Sequence, residues 1–128
     1  MNKLALLFMV LLACCKASKA DDIDCLASVL EAEAKGEDLK GQLLVAAVVL
    51  NRVESANFPN TVCEVVNQPD QFAQAPPSIE LQITAELILT GEMVVPKTTA
   101  LYFHSGSKPN YLADKKLVLT YGGHSFYE

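Results

Sequence analysis

Leu30-Glu31-Ala32-Glu33-Ala34-Lys35-Gly36-Glu37 closes one apolar-periodic segment, and the unbroken run Leu43-Leu44-Val45-Ala46-Ala47-Val48-Val49-Leu50 follows almost at once. Leu26, Val29 and Leu30 recur at helical spacing, and Glu33 is the next member of that face. The pattern therefore sets one carboxylate at the tip of an apolar stripe. Burial disfavours the charged form of a carboxyl group, which makes Glu33 a candidate proton donor. Glu31 points elsewhere, and Gly36 marks the end of the helix. Upstream, Asp21-Asp22-Ile23-Asp24 supplies acids suited to a helix N-terminus.

Periodicity does not separate a buried strand from a buried helix in the run 43–50. Val45, Val48 and Val49 favour strand, whereas Leu43, Leu44, Ala46 and Ala47 favour helix. We read a central helix, apolar all round, with polar Asn51 and Arg52 at its end. Phe58-Pro59-Asn60-Thr61 predicts a turn, with Asn60 as N-cap of a short helix through Val66. Residues 67–77 hold three prolines and read as an irregular loop. Ser78 is suited to cap a helix with Ile79, Ile83, Leu87 and Ile88 as its apolar face, ending near Gly91. Beyond Pro96 the character changes: Ala100 to His104 and Leu117 to Tyr121 read as two strands. Helices first and a C-terminal β-hairpin define an α+β domain.

Residues 1–20 read as a secretory leader: Met1-Asn2-Lys3 is positive, Leu4 to Leu12 is apolar, and Ser18-Lys19-Ala20 resembles a cleavage site. The apolar stretch is shorter than the roughly 20 residues that span a bilayer. Two other fates stand beside cleavage, lipid attachment at Cys14 and retention as an uncleaved anchor. Contact with a membrane is expected only in those two cases. Removing twenty residues from 128 leaves 108, one domain over residues 21–128. The leader takes three lysines and no acid, so seven basic and fifteen acidic residues leave a charge of −8. Without a Lys/Arg cluster, such a chain is not expected to bind nucleic acid. Of the four cysteines, Cys25 and Cys63 remain after cleavage, and an even count in a small exported domain reads as a disulfide. Two buried thiols are the alternative.

Taken together, these segments resemble the SleB-type (spore cortex-lytic) cell-wall hydrolase family, from Cys25 to Tyr127. Glu33-Ala34-Lys35-Gly36-Glu37 stands where that family usually has Glu-Ala-Arg-Gly-Glu. Gly41-Gln42, Ala46 to Val53, Phe58 to Cys63, Val66 with Gln68, Gln71-Phe72, Ala100 to His104 and Gly123 to Tyr127 follow in order. The resemblance implies a small lysozyme-like catalytic domain acting on peptidoglycan, exported to the periplasm or cell wall. It implies that Glu33 is the catalytic acid, and that Gln71, Phe72, Tyr102 and His124 lie in or near the substrate groove. Cys25 and Cys63 match positions that look paired in relatives. One departure is clear: the family commonly has two tryptophans where this chain has Gln74 or Ala75 and Tyr111, and no Trp occurs here.

Glycoside hydrolysis uses a second carboxylate, and Glu37, about one helical turn beyond Glu33, is the nearest in sequence. A lytic transglycosylase avoids that need, because one Glu protonates the leaving oxygen and then assists ring closure by the muramyl 6-hydroxyl. We therefore expect a monomeric lytic transglycosylase without cofactor or metal. The rival enzyme is a zinc-dependent N-acetylmuramoyl-L-alanine amidase using His104, His124 and a Glu, although no short ligand spacing such as His-Glu-x-x-His occurs. A non-catalytic wall-binding module or inhibitor is the third reading. Asn51 and Arg52 fit either helix capping or bracing of the acid, and Gln71-Phe72 either packing or substrate contact.

Overall fold

The computed structural model describes residues 18–128, so Cys14 and most of the expected leader lie outside the described residues. Helix α1, Lys19–Ala34, starts from a reciprocal cap in which Ser18 and Asp21 satisfy each other's backbone amides. The cleavage point expected after Ala20 falls within its first turn. Leu26, Ala27, Val29, Leu30 and Ala34 form its buried stripe. Asp38 caps α2, Leu39–Glu54, and its side chain accepts from the Gly41 amide. From Leu44 to Val49 six consecutive residues are at most 2% exposed, as in a helix surrounded on every side. Each fully buried Leu or Val side chain there contributes about 1.5–3 kcal/mol. This is the centre of the core.

Helix α3, Val62–Val66, is capped by Thr61, one residue later than expected, through its hydroxyl and the Glu64 amide. Helix α4, Ile79–Leu89, starts at Ser78 as expected. Its buried face keeps Ile88 of the expected set and otherwise differs. Leu81, Thr84, Ala85 and Ile88 are buried, while Ile79 is 75% exposed and Ile83 52%. A small and a hydroxyl side chain occupy the packed stripe. Ala85 permits close approach to α1, and Thr84 satisfies its hydroxyl on the Glu80 carbonyl at 3.1 Å. Counting only large apolar residues, Ile88 apart, picks out nearly the opposite side of the helix.

The α+β order holds, and the sheet has one strand more than was read. Strands β1 (Tyr102–Ser105), β2 (Leu117–Tyr121) and β3 (His124–Tyr127) form an antiparallel sheet in the order β1-β3-β2. The two expected strands do not pair with each other; β3 lies between them. A bulge between Leu117 and Leu119 shifts the β2–β3 register. Strand β3 is short and follows Gly122-Gly123, which masks it in the sequence. Its Phe126 is fully buried and joins the sheet to the helical core. Among the described residues, no helix is long and apolar enough to cross a membrane.

Cys25 of α1 and Cys63 of α3 are joined in a disulfide across 38 residues of sequence. Replacing both by alanine is expected to lower unfolding free energy by about 2–4 kcal/mol in a denaturant titration. Non-reducing peptide mapping should recover the two positions in one linked fragment, and alkylation of both in unreduced, denatured protein would contradict the bridge.

Candidate active site

Glu33 lies in the last turn of α1, half-buried, and opens onto a groove of about 450 Å³. The opposite wall is the edge of β1, with Phe103, His104 and Ser105, and Tyr111 at the rim. The segment Asp70-Gln71-Phe72-Ala73 forms the third side. Its Ala73 amide donates to Glu33 Oε1 at 3.0 Å, which fixes the carboxylate and leaves Oε2 for chemistry. Asp70 has φ 59°, a left-handed conformation that Asp tolerates better than most residues. A larger hollow of about 610 Å³ lies beside Cys25 and Ser28, but it shares no lining residue with Glu33 and holds one carboxylate, Asp24, without a second reactive group. Volume alone is a poor guide here, and the groove at Glu33 is the candidate site because it brings a held carboxylate, a second carboxylate and a histidine together.

Arg52 organises the neighbouring wall. Its side chain is buried, yet no carboxylate pairs with it among the described residues. Nε donates to the Leu101 carbonyl at 2.8 Å, and Nη1 to Gln71 Oε1 at 3.1 Å. The guanidinium lies over Phe58, Phe72 and Tyr102, 4.7, 4.8 and 5.2 Å from the ring centres. Burial pushes its pKa down to about 10, so it stays charged at neutral pH. Asn51 donates to the carbonyls of Thr98 and Ala100, tying the lead-in to β1 onto α2. Both polar residues at the end of α2 thus hold other segments.

Gln71 and Phe72 line the groove with Glu33, and Tyr102 lies in a small adjoining recess with Arg52. His124 does not line it. Its ring packs edge-on behind Phe103 at 5.3 Å, and its Nδ1 lies 3.1 Å from Glu37 Oε1. The same Glu37 oxygen accepts from the Gly123 amide at 2.7 Å. Glu37 therefore faces the β2–β3 turn and is absent from the groove lining. Glu31, read as pointing elsewhere than the apolar stripe, accepts from the Ser78 amide at 2.7 Å and pairs with Lys35 at 3.3 Å. The Ser78 amide holds its carboxyl below the usual range, and the contact ties α1 to the start of α4.

His104 pairs in register with Ser125, and His124 with Ser105, so alternation along β1 and β3 sends the two imidazoles to opposite faces. They cannot share an ion, which removes the geometric ground for a two-histidine zinc site. Among the described residues no group of three or more His, Cys, Asp or Glu is arranged to hold a metal. The Ala73 amide, Asp70 and His104 belong to the groove and were not singled out for it from sequence. A backbone donor leaves no sequence signal, although Pro69-Asp70 does mark a turn.

Four helices covered by a small antiparallel sheet, with a groove between a helix end and a sheet edge, make a lysozyme-like α+β domain. The chain belongs to the cell wall hydrolase family, SleB type: it matches the family over residues 36–127. Over 52 residues it is 50% identical to a spore cortex-lytic enzyme of Bacillus cereus and 46% to that of Bacillus subtilis. Those alignments cover 41% of this chain, and 20% and 17% of those relatives, so the match spans about a fifth of their length. The fold is similar to the catalytic domain of Bacillus cereus SleB, with TM-score 0.71, 30% identity and coverage of 89% and 94% of the two chains. It is equally similar to the catalytic domain of the germination-specific lytic transglycosylase SleB of Bacillus anthracis, with TM-score 0.73, 30% identity and 89% and 98% coverage.

The turn after β2 generates two expectations. A Cβ at Gly122, whose φ is +55°, would lie 2.5 Å from Glu37 Oε1, so Gly122→Ala should lower stability by about 1–3 kcal/mol in chemical denaturation. Tyr121 donates to Asp38 Oδ2 at 2.6 Å, which lowers the Asp38 pKa and raises that of Tyr121. The stability advantage of wild type over Tyr121→Phe should be full between the ordinary Asp and Tyr pKa values. It should shrink as pH falls through the depressed Asp38 pKa, and again as pH rises through the raised Tyr121 pKa. A difference that stays flat across both limits would contradict the pairing.

Proposed function

We propose that this domain cleaves the glycan strands of peptidoglycan as a lytic transglycosylase, with Glu33 as its acid and base. One observation carries the reading: Glu33 is held by the Ala73 amide at the centre of a groove, while Glu37 is committed to Gly123 and His124. With Oε1 accepting from Ala73, Oε2 is the oxygen left to deliver the carboxylic proton. Its transfer to the bridging oxygen accompanies breakage of the bond from that oxygen to muramyl C1. The Glu33 carboxylate then takes the proton of the muramyl 6-hydroxyl as O6 bonds to C1. The product is a 1,6-anhydro end, and no water is consumed. The resemblance of the fold to a solved lytic transglycosylase supports this choice. A disulfide belongs to oxidising compartments, which supports an exported, wall-acting protein.

Asp70 is the other carboxylate lining the groove, and ordinary hydrolysis would need it as base or nucleophile. Glu33→Gln should lower the rate of glycan release from sacculi by about 10²–10⁴-fold, with the fold unchanged by circular dichroism. Asp70→Asn should retain most of the rate. Mass spectrometry should find 1,6-anhydromuramic ends. Ordinary reducing ends together with an inactive Asp70→Asn would establish hydrolysis instead, and free peptide stems would overturn glycan cleavage altogether.

A further inference from the structure

His104 is the one described residue with a buried side-chain nitrogen, Nδ1, that has no hydrogen-bond partner. Buried polar groups are nearly always paired, so the orphan calls for a reason. The residue stands in β1 on the groove wall opposite Glu33, its ring edge-on to Tyr111 with centres 6.4 Å apart. Nε2 is not among the buried orphan atoms, and no described residue bonds to it, so it keeps some exposure on a residue that lines the groove. A neutral imidazole carries one N–H and one lone pair. A buried N–H without an acceptor is rarer than a buried lone pair without a donor. That asymmetry favours the tautomer with the lone pair inside on Nδ1 and the proton on Nε2.

We propose that His104 is a substrate-binding residue whose Nε2–H donates to an acetamido carbonyl oxygen of the glycan. An outward donor calls for an acceptor, and an acetamido carbonyl is a stronger acceptor than the sugar hydroxyls, which both donate and accept. Beside it, Phe72, Phe103 and the 69% exposed Tyr111 offer apolar surface for the acetyl methyl group. The same contact would orient the sugar against Glu33 across the groove. This inference rests on the glycan reading above.

Long-range proton–nitrogen NMR of the free protein should show the Nε2–H tautomer of His104; an Nδ1–H tautomer would overturn the proposal. Adding N-acetylglucosamine tetrasaccharide should shift the Nε2 resonance, and its de-N-acetylated counterpart should leave it unmoved. His104→Phe should lower kcat/KM on native sacculi about threefold to tenfold. It should leave kcat/KM on chemically de-N-acetylated sacculi close to that of wild type. Because the variant removes an unpaired buried atom, its unfolding midpoint should not fall. Equal loss on both substrates, or loss tracking a lowered midpoint, would reduce His104 to packing. If wild type released nothing from sacculi while the tetrasaccharide still shifted Nε2, the peptidoglycan reading would fall and the acetamido site would stand.

Discussion

The carboxylate of Glu37 is the joint on which the rest of the structure turns. It leaves the short connection between α1 and α2, crosses to the sheet, and receives both the Gly123 amide and the His124 ring on one oxygen. Next to it, Asp38 caps α2 and accepts from the Tyr121 hydroxyl. Two adjacent acids therefore bind the helical layer to the β2–β3 turn. The close fit also explains two glycines. A Cβ at Gly41 would lie 2.8 Å from the Glu37 Cβ, and one at Gly122 would strike its carboxylate. Because β3 is the middle strand, locating its start locates β1, and β1 is the wall facing Glu33.

The second constraint is a cation without an anion. Arg52 emerges from the end of the most buried helix, where ionic pairing would require a second desolvated charge. It is accommodated by neutral acceptors and three aromatic faces instead. Those partners come from the turn before α3, the Gln71-Phe72 segment and β1. One side chain thereby holds together the pieces that flank the groove. The Gln71-Phe72-Ala73 segment also supplies the amide on Glu33, so the Glu33 carboxylate and its surroundings share one support.

Much of this was legible in the residues. The acids from Asp21 and the Ser78 cap mark helix starts by local chemistry, Asn60 missed the Thr61 cap by one residue, and the Ser18 and Asp38 caps were not read. The run 43–50 was ambiguous because burial on every face erases periodicity. In α4 the packed stripe contains Ala85 and Thr84, so the larger Ile79 and Ile83 misled the count. Strand β3 escaped notice because four residues after a glycine pair carry too little pattern, although Phe126 is the largest fully buried side chain.

The candidate acid, its place at a helix end and the order of the supporting segments were determined by the sequence alone, because they depend on local spacing and on a motif read in line. Three things depended on tertiary structure. Glu37 turned to the hairpin, His104 and His124 separated to opposite faces, and Ala73 became the donor that holds Glu33. Each is set by contacts across 40 or more residues or by the pleat of a sheet, and neither leaves a trace in neighbouring residues. The opening stretch already separates Glu33, on the apolar stripe, from Glu31 and from Glu37 beyond the helix end. Only the partners that folding brings to each, the Ser78 amide, the Ala73 amide and the Gly123 amide, give them different work.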